Sequence, residues 1–462
     1  MNKQCPVVKN EFYELEIVSL GANGEGIGRK DGYTLFVRGA IPGDLIKMKV
    51  IKVKKKYGIG IIDTILSPSL DRVEPLCPIA NKCGGCNIQH MSYEAQLKYK
   101  ENLIAESLVR IGGLDDADIR SKLEPIIGAS EPYYYRNKVQ YPVRDNHGGI
   151  EIGFYAKGSH RIVETPRCYI QDVYNEEIVK TVRSFMMEHH VPAYNEELQK
   201  GLIRHIVIRK SHEKDVFHVT IVINGRKLPK VEILTNELMD LDKVEAVSLN
   251  INMENTNVVL GSTIINMAGP EYLEDNIKEI KYHISQKSFY QVNPQQTVKL
   301  YEKALEYAAL TGNETVYDLY CGIGTISLFL AKQAKEVYGV EVVEEAILDA
   351  KENAKLNEIE NVHFYVGKAE EVMPRLFKEK EITADVVVVD PPRKGCEESL
   401  LDAIIQMGVS KMIYVSCDPG TLARDVKYLV ANGYYLDKIC GVDMFSHSVH
   451  VETVVRISKI DS

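Results

Sequence analysis

The stretch Thr315-Val316-Tyr317-Asp318-Leu319-Tyr320-Cys321-Gly322-Ile323-Gly324 decides the fold of the C-terminal part of the chain. An apolar run that ends in a glycine turn is typical of a buried strand leading into a helix. The same rhythm returns in four strand candidates, each followed by a helix-like stretch: 336–341, 362–366, 384–390 and 411–416. This alternation predicts a parallel sheet with helices on both faces, a Rossmann-like α/β domain. The last strand candidates, 434–442 and 450–457, predict an antiparallel edge.

The glycine turn is also a candidate cofactor site. Gly322 and Gly324 let the backbone approach a ligand, and Glu341, 19 residues after Gly322, can bind ribose hydroxyls. Ser327 stands where dinucleotide binders have a third glycine, so no pyrophosphate has to be cradled. This favours S-adenosylmethionine over NAD, although the motif alone leaves another nucleotide open. Gln291, before a helix candidate, can bind the amino-acid end of such a cofactor or simply cap the helix.

Three candidate reactive groups lie in or directly after strand candidates of the same domain. Asp390-Pro391-Pro392-Arg393 ends one apolar strand, Cys417 follows the next, and Glu452 lies in the last. Parallel strands bring their carboxyl ends to one edge, so we expect Asp390 and Cys417 to lie close together. A thiolate that adds to C6 of a pyrimidine makes C5 nucleophilic, and a base must then remove the C5 proton. We therefore predict Cys417 as nucleophile and Glu452 as base, against the alternatives of a buried structural cysteine and a surface carboxylate.

Four of the nine cysteines form a candidate metal site. Cys77, Cys83 and Cys86 are separated by five and then two residues, and Cys168 is a distant fourth. Four thiolates suit either zinc or a 4Fe-4S cluster, and three clustered ligands with a single close pair favour iron and sulfur. We interpret Cys5, Cys396 and Cys440 as structural or incidental, and we expect no chemistry from Cys321.

Composition limits the possible partners. The formal charge of -9 means that a nucleic-acid surface has to be local. The lysine-rich run 47–56, followed by Tyr57, is either such a surface or a solvated strand face. Neither an apolar run of about 18 residues nor an apolar stretch in residues 1–10 is present, so we expect no membrane helix, no secretion signal and a cytoplasmic protein.

Three domains are predicted. Short β runs cut by glycine turns over 11–66 predict a small β-barrel of the OB type in residues 1–66. Residues 67–280 predict an α+β middle domain with the cysteine cluster, a helix over 91–110 and strands over 149–155, 203–209, 216–223 and 246–251. The α/β domain takes residues 281–462.

The chain resembles a known family over nearly its whole length. Residues 24–29 and 36–44 are similar to the TRAM domain, an RNA-binding barrel. With the Asp-Pro-Pro-Arg loop, Cys417 and Glu452, the whole resembles the RNA uracil-5 methyltransferases, in particular the branch that acts on 23S ribosomal RNA. The barrel and the cysteines indicate that branch.

This resemblance implies an S-adenosylmethionine-dependent enzyme that makes 5-methyluridine in 23S ribosomal RNA and turns the target base out of the RNA fold. Apart from the resemblance, we expect a monomer and no membrane partner. The resemblance places a 4Fe-4S cluster on Cys77, Cys83, Cys86 and Cys168, the nucleophile at Cys417 and the base at Glu452. Cofactor contacts fall on Gln291, Tyr320, Gly322, Glu341 and Asp390. Asp418, Tyr320 and Thr325 depart from the commonest family residues, which leaves a cofactor contact at Thr325 open.

Two other readings of the sequence remain. A cytosine-5 RNA methyltransferase shares the covalent step but normally needs an acid for the ring nitrogen and a differently arranged pair of cysteines. A non-catalytic RNA-binding or iron-sulfur protein would keep the fold without turnover.

Overall fold

The computed structural model describes residues 5–146, 149–165 and 167–460, so residues 1–4 of the N-terminal stretch lie outside the described residues. The chain forms two compact units. The first unit contains residues up to 103 together with 155–161 and 445–450, and the second contains 104–154, 162–444 and the residues from 451 onward. No helix in the described ranges has the length and apolar character needed to cross a membrane.

The first unit contains a six-stranded sheet in the order β1-β5-β6-β4-β3-β2. Its strands are β1 (Phe12–Glu16), β2 (Ser19–Leu20), β3 (Gly26–Lys30), β4 (Tyr33–Arg38), β5 (Leu45–Val53) and β6 (Tyr57–Ser67). Alternate residues of β5, namely Ile46, Met48 and Val50, are fully buried, as expected for strands with one apolar face. The strands predicted between residues 11 and 66 are confirmed, and their closure into an OB-type barrel stays a prediction.

A long helix, α1 (Tyr93–Arg110), follows and confirms the helix predicted over 91–110. Next come α2 (Asp116–Lys122) and a short strand, β7 (Leu123–Ile127).

A seven-stranded sheet fills the middle of the sequence, in the order β10-β9-β8-β11-β12-β13-β14. Its strands are β8 (Lys138–Asn146), β9 (Gly149–Tyr155), β10 (Ile162–Glu164), β11 (Ile203–Lys210), β12 (Phe217–Ile223), β13 (Val244–Ile251) and β14 (Thr263–Ala268). The helices α3 (Asn175–Glu188) and α4 (Val231–Met239) supply Phe185 and Leu234 to the apolar core beside it. The four strands predicted here are confirmed within one to two residues. A hairpin of β15 (Leu273–Ile277) and β16 (Ile280–Ile284) follows.

The C-terminal sheet has eight strands in the order β19-β18-β17-β20-β21-β23-β22-β7. Its own strands are β17 (Thr315–Leu319), β18 (Glu336–Glu341), β19 (Val362–Val366), β20 (Val386–Val389), β21 (Lys411–Ser416), β22 (Tyr434–Val442) and β23 (Glu452–Lys459). Its helices are α5 (Pro294–Ala308), α6 (Thr325–Ala331), α7 (Glu344–Leu356), α8 (Ala369–Lys380), α9 (Glu398–Gln406) and α10 (Pro419–Ala431). The predicted parallel sheet and the antiparallel pairing of its last two strands are confirmed, but the edge is formed by β7, which pairs parallel with β22.

Strand order decides where a ligand can bind. The chain leaves β17 towards β18 and β19, then returns to place β20 on the other side of β17. Ligands of open α/β sheets bind at the carboxyl ends of the strands where the order reverses. The ends of β17 and β20 therefore mark the site, which is where Gly322 and Asp390 follow.

Candidate active site

The predicted nucleophile and the predicted base lie on neighbouring strands. β21 and β23 pair antiparallel, with Ser416 opposite Thr453. Cys417 and Glu452 are the next residues after this pair, and the charge of Glu452 acts on the Cys417 thiol; directly opposed residues in such a ladder have Cβ atoms about 4.5–5.5 Å apart. Cys417 is half-buried, and Glu452 is 3% exposed. The structure thus brings the thiol and the carboxylate together.

Two further charges act on the thiol. Asp390 follows β20, which pairs with β21, and Arg393 lies three residues further along the same loop. Burial, and then the negative charges of Glu452 and Asp390, raise the pKa of Cys417 to about 11, while Arg393 opposes the rise. The thiol is therefore protonated at neutral pH in the free protein, and Arg393 favours the thiolate.

Glu452 is unusual for a buried carboxyl group. Its Oε2 atom has no hydrogen-bond partner among the described residues. Burial, followed by the charge of Asp390, raises the pKa of Glu452 to about 8. An unpartnered buried polar group costs stability. A carboxylate with a pKa near the working pH is suited to accept a proton during catalysis.

The loop that carries Arg393 is fixed to the strand that carries Cys417. Asp425 on α10 accepts hydrogen bonds from the Cys396 backbone N–H at 2.9 Å and the Tyr414 hydroxyl at 2.7 Å. Tyr414 lies on β21, three residues before Cys417. Asp425 is buried and so joins the two parts of the reacting site. Sequence reasoning missed it, because an acid inside a helix gives no signal of its own.

The glycine turn has the shape that a cofactor needs. Tyr320, Gly322 and Gly324 adopt φ values of +69, +55 and +81 degrees, a conformation that costs energy for the tyrosine. A Cβ added to Gly322 would meet no described atom within 4 Å, so the backbone is open to a ligand. Glu341 accepts hydrogen bonds from the N–H groups of Gly322 at 3.3 Å and Val343 at 3.0 Å. Its carboxylate is therefore held against the turn.

A cavity of about 440 Å³ lies beside this turn. Its lining includes Tyr320, Glu341, Gly367, Ala369 and Glu370. Its size is within the range of small-molecule sites. The turn, the carboxylate and the cavity together fit the nucleoside part of S-adenosylmethionine.

Asp318 and Thr325 flank the turn in the sequence. Asp318 is fully buried, and its Oδ1 atom has no hydrogen-bond partner among the described residues. Burial raises the pKa of Asp318 to about 7, the Ser327 hydroxyl bond opposes this rise, and the Asp390 charge adds to it. Sequence analysis missed Asp318 as a site residue, although it is the acid inside the strand of the opening stretch. The Thr325 hydroxyl accepts a hydrogen bond from the Tyr301 hydroxyl at 2.9 Å, so it already has a hydrogen-bond partner within the protein.

Gln291 lies in a buried segment that leads into α5. Asn137 donates a hydrogen bond from Nδ2 to the Gln291 carbonyl oxygen at 3.1 Å. Asn293 caps α5, and its Nδ2 donates to the carbonyl oxygen of Met444 at 3.2 Å. Met444 follows β22, whose last residue, Val442, pairs with Glu452. The segment of Gln291 is thus fastened close to the predicted base.

The predicted metal site is not formed in the structure. Among the described residues, no group of three or more His, Cys, Asp or Glu side chains is arranged to hold a metal ion. Cys77 and Cys83 are close enough for the charge of one to raise the pKa of the other, after the larger effect of burial. Spacing along the sequence does not fix where sulfur atoms lie, which is why the sequence could not settle this. The 4Fe-4S cluster on Cys77, Cys83, Cys86 and Cys168 is therefore not supported by the structure.

The lysine-rich strand β5 presents a basic and aromatic surface. Lys47 and Lys49 place their ammonium groups 5.3 and 5.7 Å from the ring centre of Phe12 on β1. Phe12 is 46% exposed. Exposed aromatic and cationic side chains together suit contact with a nucleic-acid strand.

Comparison with known proteins identifies an N-terminal and a C-terminal region of the chain. Residues 6–62 match the TRAM domain, and residues 231–460 match the family described as tRNA (Uracil-5-)-methyltransferase. An uncharacterized RNA methyltransferase of Clostridium acetobutylicum is 47% identical over 462 residues, with 100% of both chains covered. Another, of Clostridium tetani, is 48% identical over 459 residues, covering 99% of this chain and 98% of its own.

A solved structure agrees with these relatives. The crystal structure of the Pyrococcus abyssi tRNA (uracil-54, C5)-methyltransferase, in complex with S-adenosyl-L-homocysteine, superposes with a TM-score of 0.77 at 27% identity. The match covers 96% of this chain and 99% of that one. The fold and the site define an S-adenosylmethionine-dependent RNA methyltransferase with an N-terminal TRAM domain. The chain belongs to the RNA uracil-5-methyltransferase family.

Proposed function

We propose that this protein methylates C5 of a uridine in 23S ribosomal RNA through a covalent bond between Cys417 and C6 of the base. The chemistry is supported by the charges of Glu452 and Asp390, which both act on the Cys417 thiol. The choice of ribosomal RNA rests on the resemblance of the cysteine spacing to that branch. The proposal also takes the protein to be a cytoplasmic monomer that acts without a membrane.

The residues have separate roles in this mechanism. Bound S-adenosylmethionine supplies an electrophilic methyl group, which Gln291, Tyr320, Gly322, Glu341 and Asp390 position. Cys417 gives up its proton to solvent, and the thiolate bonds to C6, which makes C5 electron-rich. After C5 has gained the methyl group, Glu452 accepts the C5 proton, the bond from sulfur to C6 breaks, and the thiolate leaves. Arg393 is the positive charge that favours the thiolate.

Substrate and product are tested together. Ribosomal and transfer RNA from a strain that lacks the gene are digested and mapped by mass spectrometry. We expect loss of 5-methyluridine from 23S ribosomal RNA and its return with the wild-type gene. Intact 5-methyluridine in that RNA would refute the proposal. Loss from transfer RNA would move the substrate to that of the Pyrococcus relative, and loss of 5-methylcytidine would favour the cytosine reading.

Two variants test the covalent step. Cys417→Ala should abolish methylation and keep RNA binding, whereas Cys440→Ala, a buried cysteine outside the reacting site, should keep both. Full turnover of Cys417→Ala would contradict the mechanism. Glu452→Gln should trap the RNA adduct as a slow band in a denaturing gel, and the double variant with Cys417→Ala should show no band. Without the band, another residue takes the proton.

The iron-sulfur cluster is proposed on the resemblance alone. We expect iron and acid-labile sulfide in protein purified without oxygen, and their loss when Cys83 is replaced by Ser. Protein without iron would remove the cluster from the proposal while leaving the methylation chemistry intact.

A further inference from the structure

Three cationic side chains lie together at the start of β8 and the end of β11. Lys138 is directly opposite Arg209 in the antiparallel pairing of these strands, and Arg136 precedes Lys138 by two residues. Like charges directly opposite each other in a sheet destabilise it. Burial, followed by the charges of Arg209 and Arg136, lowers the pKa of Lys138 to about 7. The three positive charges therefore act on one another.

No carboxylate compensates these charges among the described residues. Arg209, only 5% exposed, donates to two neutral acceptors, the carbonyl oxygens of Ser288 at 2.5 Å and Gln286 at 3.2 Å. Its Nε atom has no hydrogen-bond partner in the described part of the chain.

The neighbouring lysine on the same strand shows the contrast. Lys210 forms ion pairs with Asp172 and Asp215, each at 2.6 Å. Its pKa is raised overall, because the hydrogen bonds to these carboxylates outweigh the opposing effect of burial. The fold thus neutralises Lys210 with its own acids and leaves the adjacent Arg209 and Lys138 without any.

The cationic cluster is attached to the segment that leads into the reacting site. Asn137, between Arg136 and Lys138, donates its backbone N–H to the Val292 carbonyl oxygen at 2.9 Å and its side-chain amide to the Gln291 carbonyl oxygen at 3.1 Å. Arg209 holds the same segment through Ser288. An anion bound at the cluster would therefore lie against the segment of Gln291.

We propose that Lys138, with Arg136 and Arg209, binds a phosphodiester group of the substrate RNA. Phosphate is the anion that every RNA substrate carries, and Lys and Arg are the side chains that bind it. Lys138 is half-buried, so an anion from solvent can reach it. The carboxylate of the cofactor has the same oxyanion chemistry, and the test separates the two sources. The inference rests on the RNA substrate of the proposed function.

Lys138→Met is the informative variant, because Arg209 also anchors the backbone near Gln291 and its loss would disturb the cofactor site. Removing one of three like charges should raise the melting temperature of the free protein. Lys210→Met, the matched control, should lower it, because two carboxylates lose their partner. Inorganic phosphate should raise the melting temperature of the wild type more than that of Lys138→Met. This readout needs no RNA and no turnover, so it stands even if the proposed ribosomal substrate is wrong.

Binding to RNA and cofactor completes the test. The RNA that the wild type methylates is titrated at several salt concentrations, with S-adenosylmethionine titrated separately. Lys138→Met should weaken RNA binding about tenfold and reduce the slope of log K against log salt by about 0.7–0.9, the effect of one phosphate contact. Lys210→Met should change neither. Unchanged RNA affinity and slope in Lys138→Met, or a loss confined to S-adenosylmethionine, would overturn the proposal.

Discussion

Replacing Glu452 by Gln is expected to make the Cys417 thiol more acidic in the enzyme without RNA. The pKa of Cys417 is raised to about 11 by burial and then by the charge of Glu452. At a separation of about 5 Å, a unit charge in an effective dielectric constant of about 20 sets an upper limit of about 3 kcal/mol. Burial is the larger cause of the rise, so glutamine, which keeps the shape and removes the charge, should lower the thiol pKa by about 1 unit.

The size of the effect depends on pH, because Glu452 itself titrates at about 8. Below that pH the glutamic acid is neutral, and the wild type and the variant ionise alike. Treating the two groups as coupled, about a fiftieth of the wild-type thiol is thiolate at about pH 9, against about a tenth in the variant. The midpoint of thiolate formation shifts by the same 1 unit or so.

The ultraviolet absorbance of the thiolate measures this fraction directly. Each protein is titrated beside its Cys417→Ser counterpart, and the difference removes the other eight cysteines, such as the exposed Cys5. The variant should form thiolate more readily and still fail to turn over, because it lacks the proton acceptor. Equal thiolate fractions at about pH 9 would show that no charge at Glu452 acts on the thiol, and the argument from strand register would fail.

Three further predictions concern stability and cofactor binding. The pKa of Glu452 in the folded protein, about 8, exceeds its ordinary value, so the wild type loses stability as the pH rises from the ordinary pKa to the folded one. Over this pH range, the melting temperature of Glu452→Gln should rise increasingly above that of the wild type. A difference in melting temperature that does not change with pH would contradict this prediction. Gly395→Ala should lower kcat. It should also lower the free energy of unfolding in urea by about 1–3 kcal/mol, because at a φ of +77 degrees the new Cβ would lie 2.6 Å from Asp425 Oδ2. A variant as stable as the wild type would refute this contact. Gly322→Ala should weaken the binding of S-adenosylmethionine, measured by calorimetry, about tenfold. It should cost only about 1 kcal/mol of stability, since the new Cβ would meet no described atom. Unchanged affinity would place the cofactor elsewhere.

The sheet was predictable because apolar runs mark buried strands. The predicted ranges 411–416 and 434–442 coincide with β21 and β22. The strand β7 was not predictable, because it contains Pro125 and pairs with β22, about three hundred residues later in the sequence. Proline is tolerated on edge strands, and β7 lies at the edge of the sheet.

The location of the site in the fold was predictable from the sequence, but the relative positions of its side chains were not. Because the carboxyl ends of parallel strands meet at one edge of the sheet, Asp390 and Cys417 were expected to lie close together. The effect of the Asp390 charge on the pKa of the Cys417 thiol agrees with this expectation. The opposition of Cys417 and Glu452 depends on the register of β23, which the connection over 443–451 sets and which the sequence pattern does not reveal. The Lys138–Arg209 pair likewise depends on the register between strands more than sixty residues apart.

Charged groups with shifted pKa values occur at both proposed ligand sites of the second unit. Asp318 and Glu452 are buried carboxyl groups and Asp390 is a half-buried one, all with raised pKa values, and Lys138 and Arg209 are cations with lowered ones. A fold selected for stability alone would pair or replace these groups, as it pairs Lys210 with two acids. In the proposed function, the acids complement the positive sulfonium of the methyl donor, and the cations complement RNA phosphate. Each ligand therefore supplies the charge that the protein lacks at its site, and binding should stabilise the folded chain beyond what the area of contact alone provides.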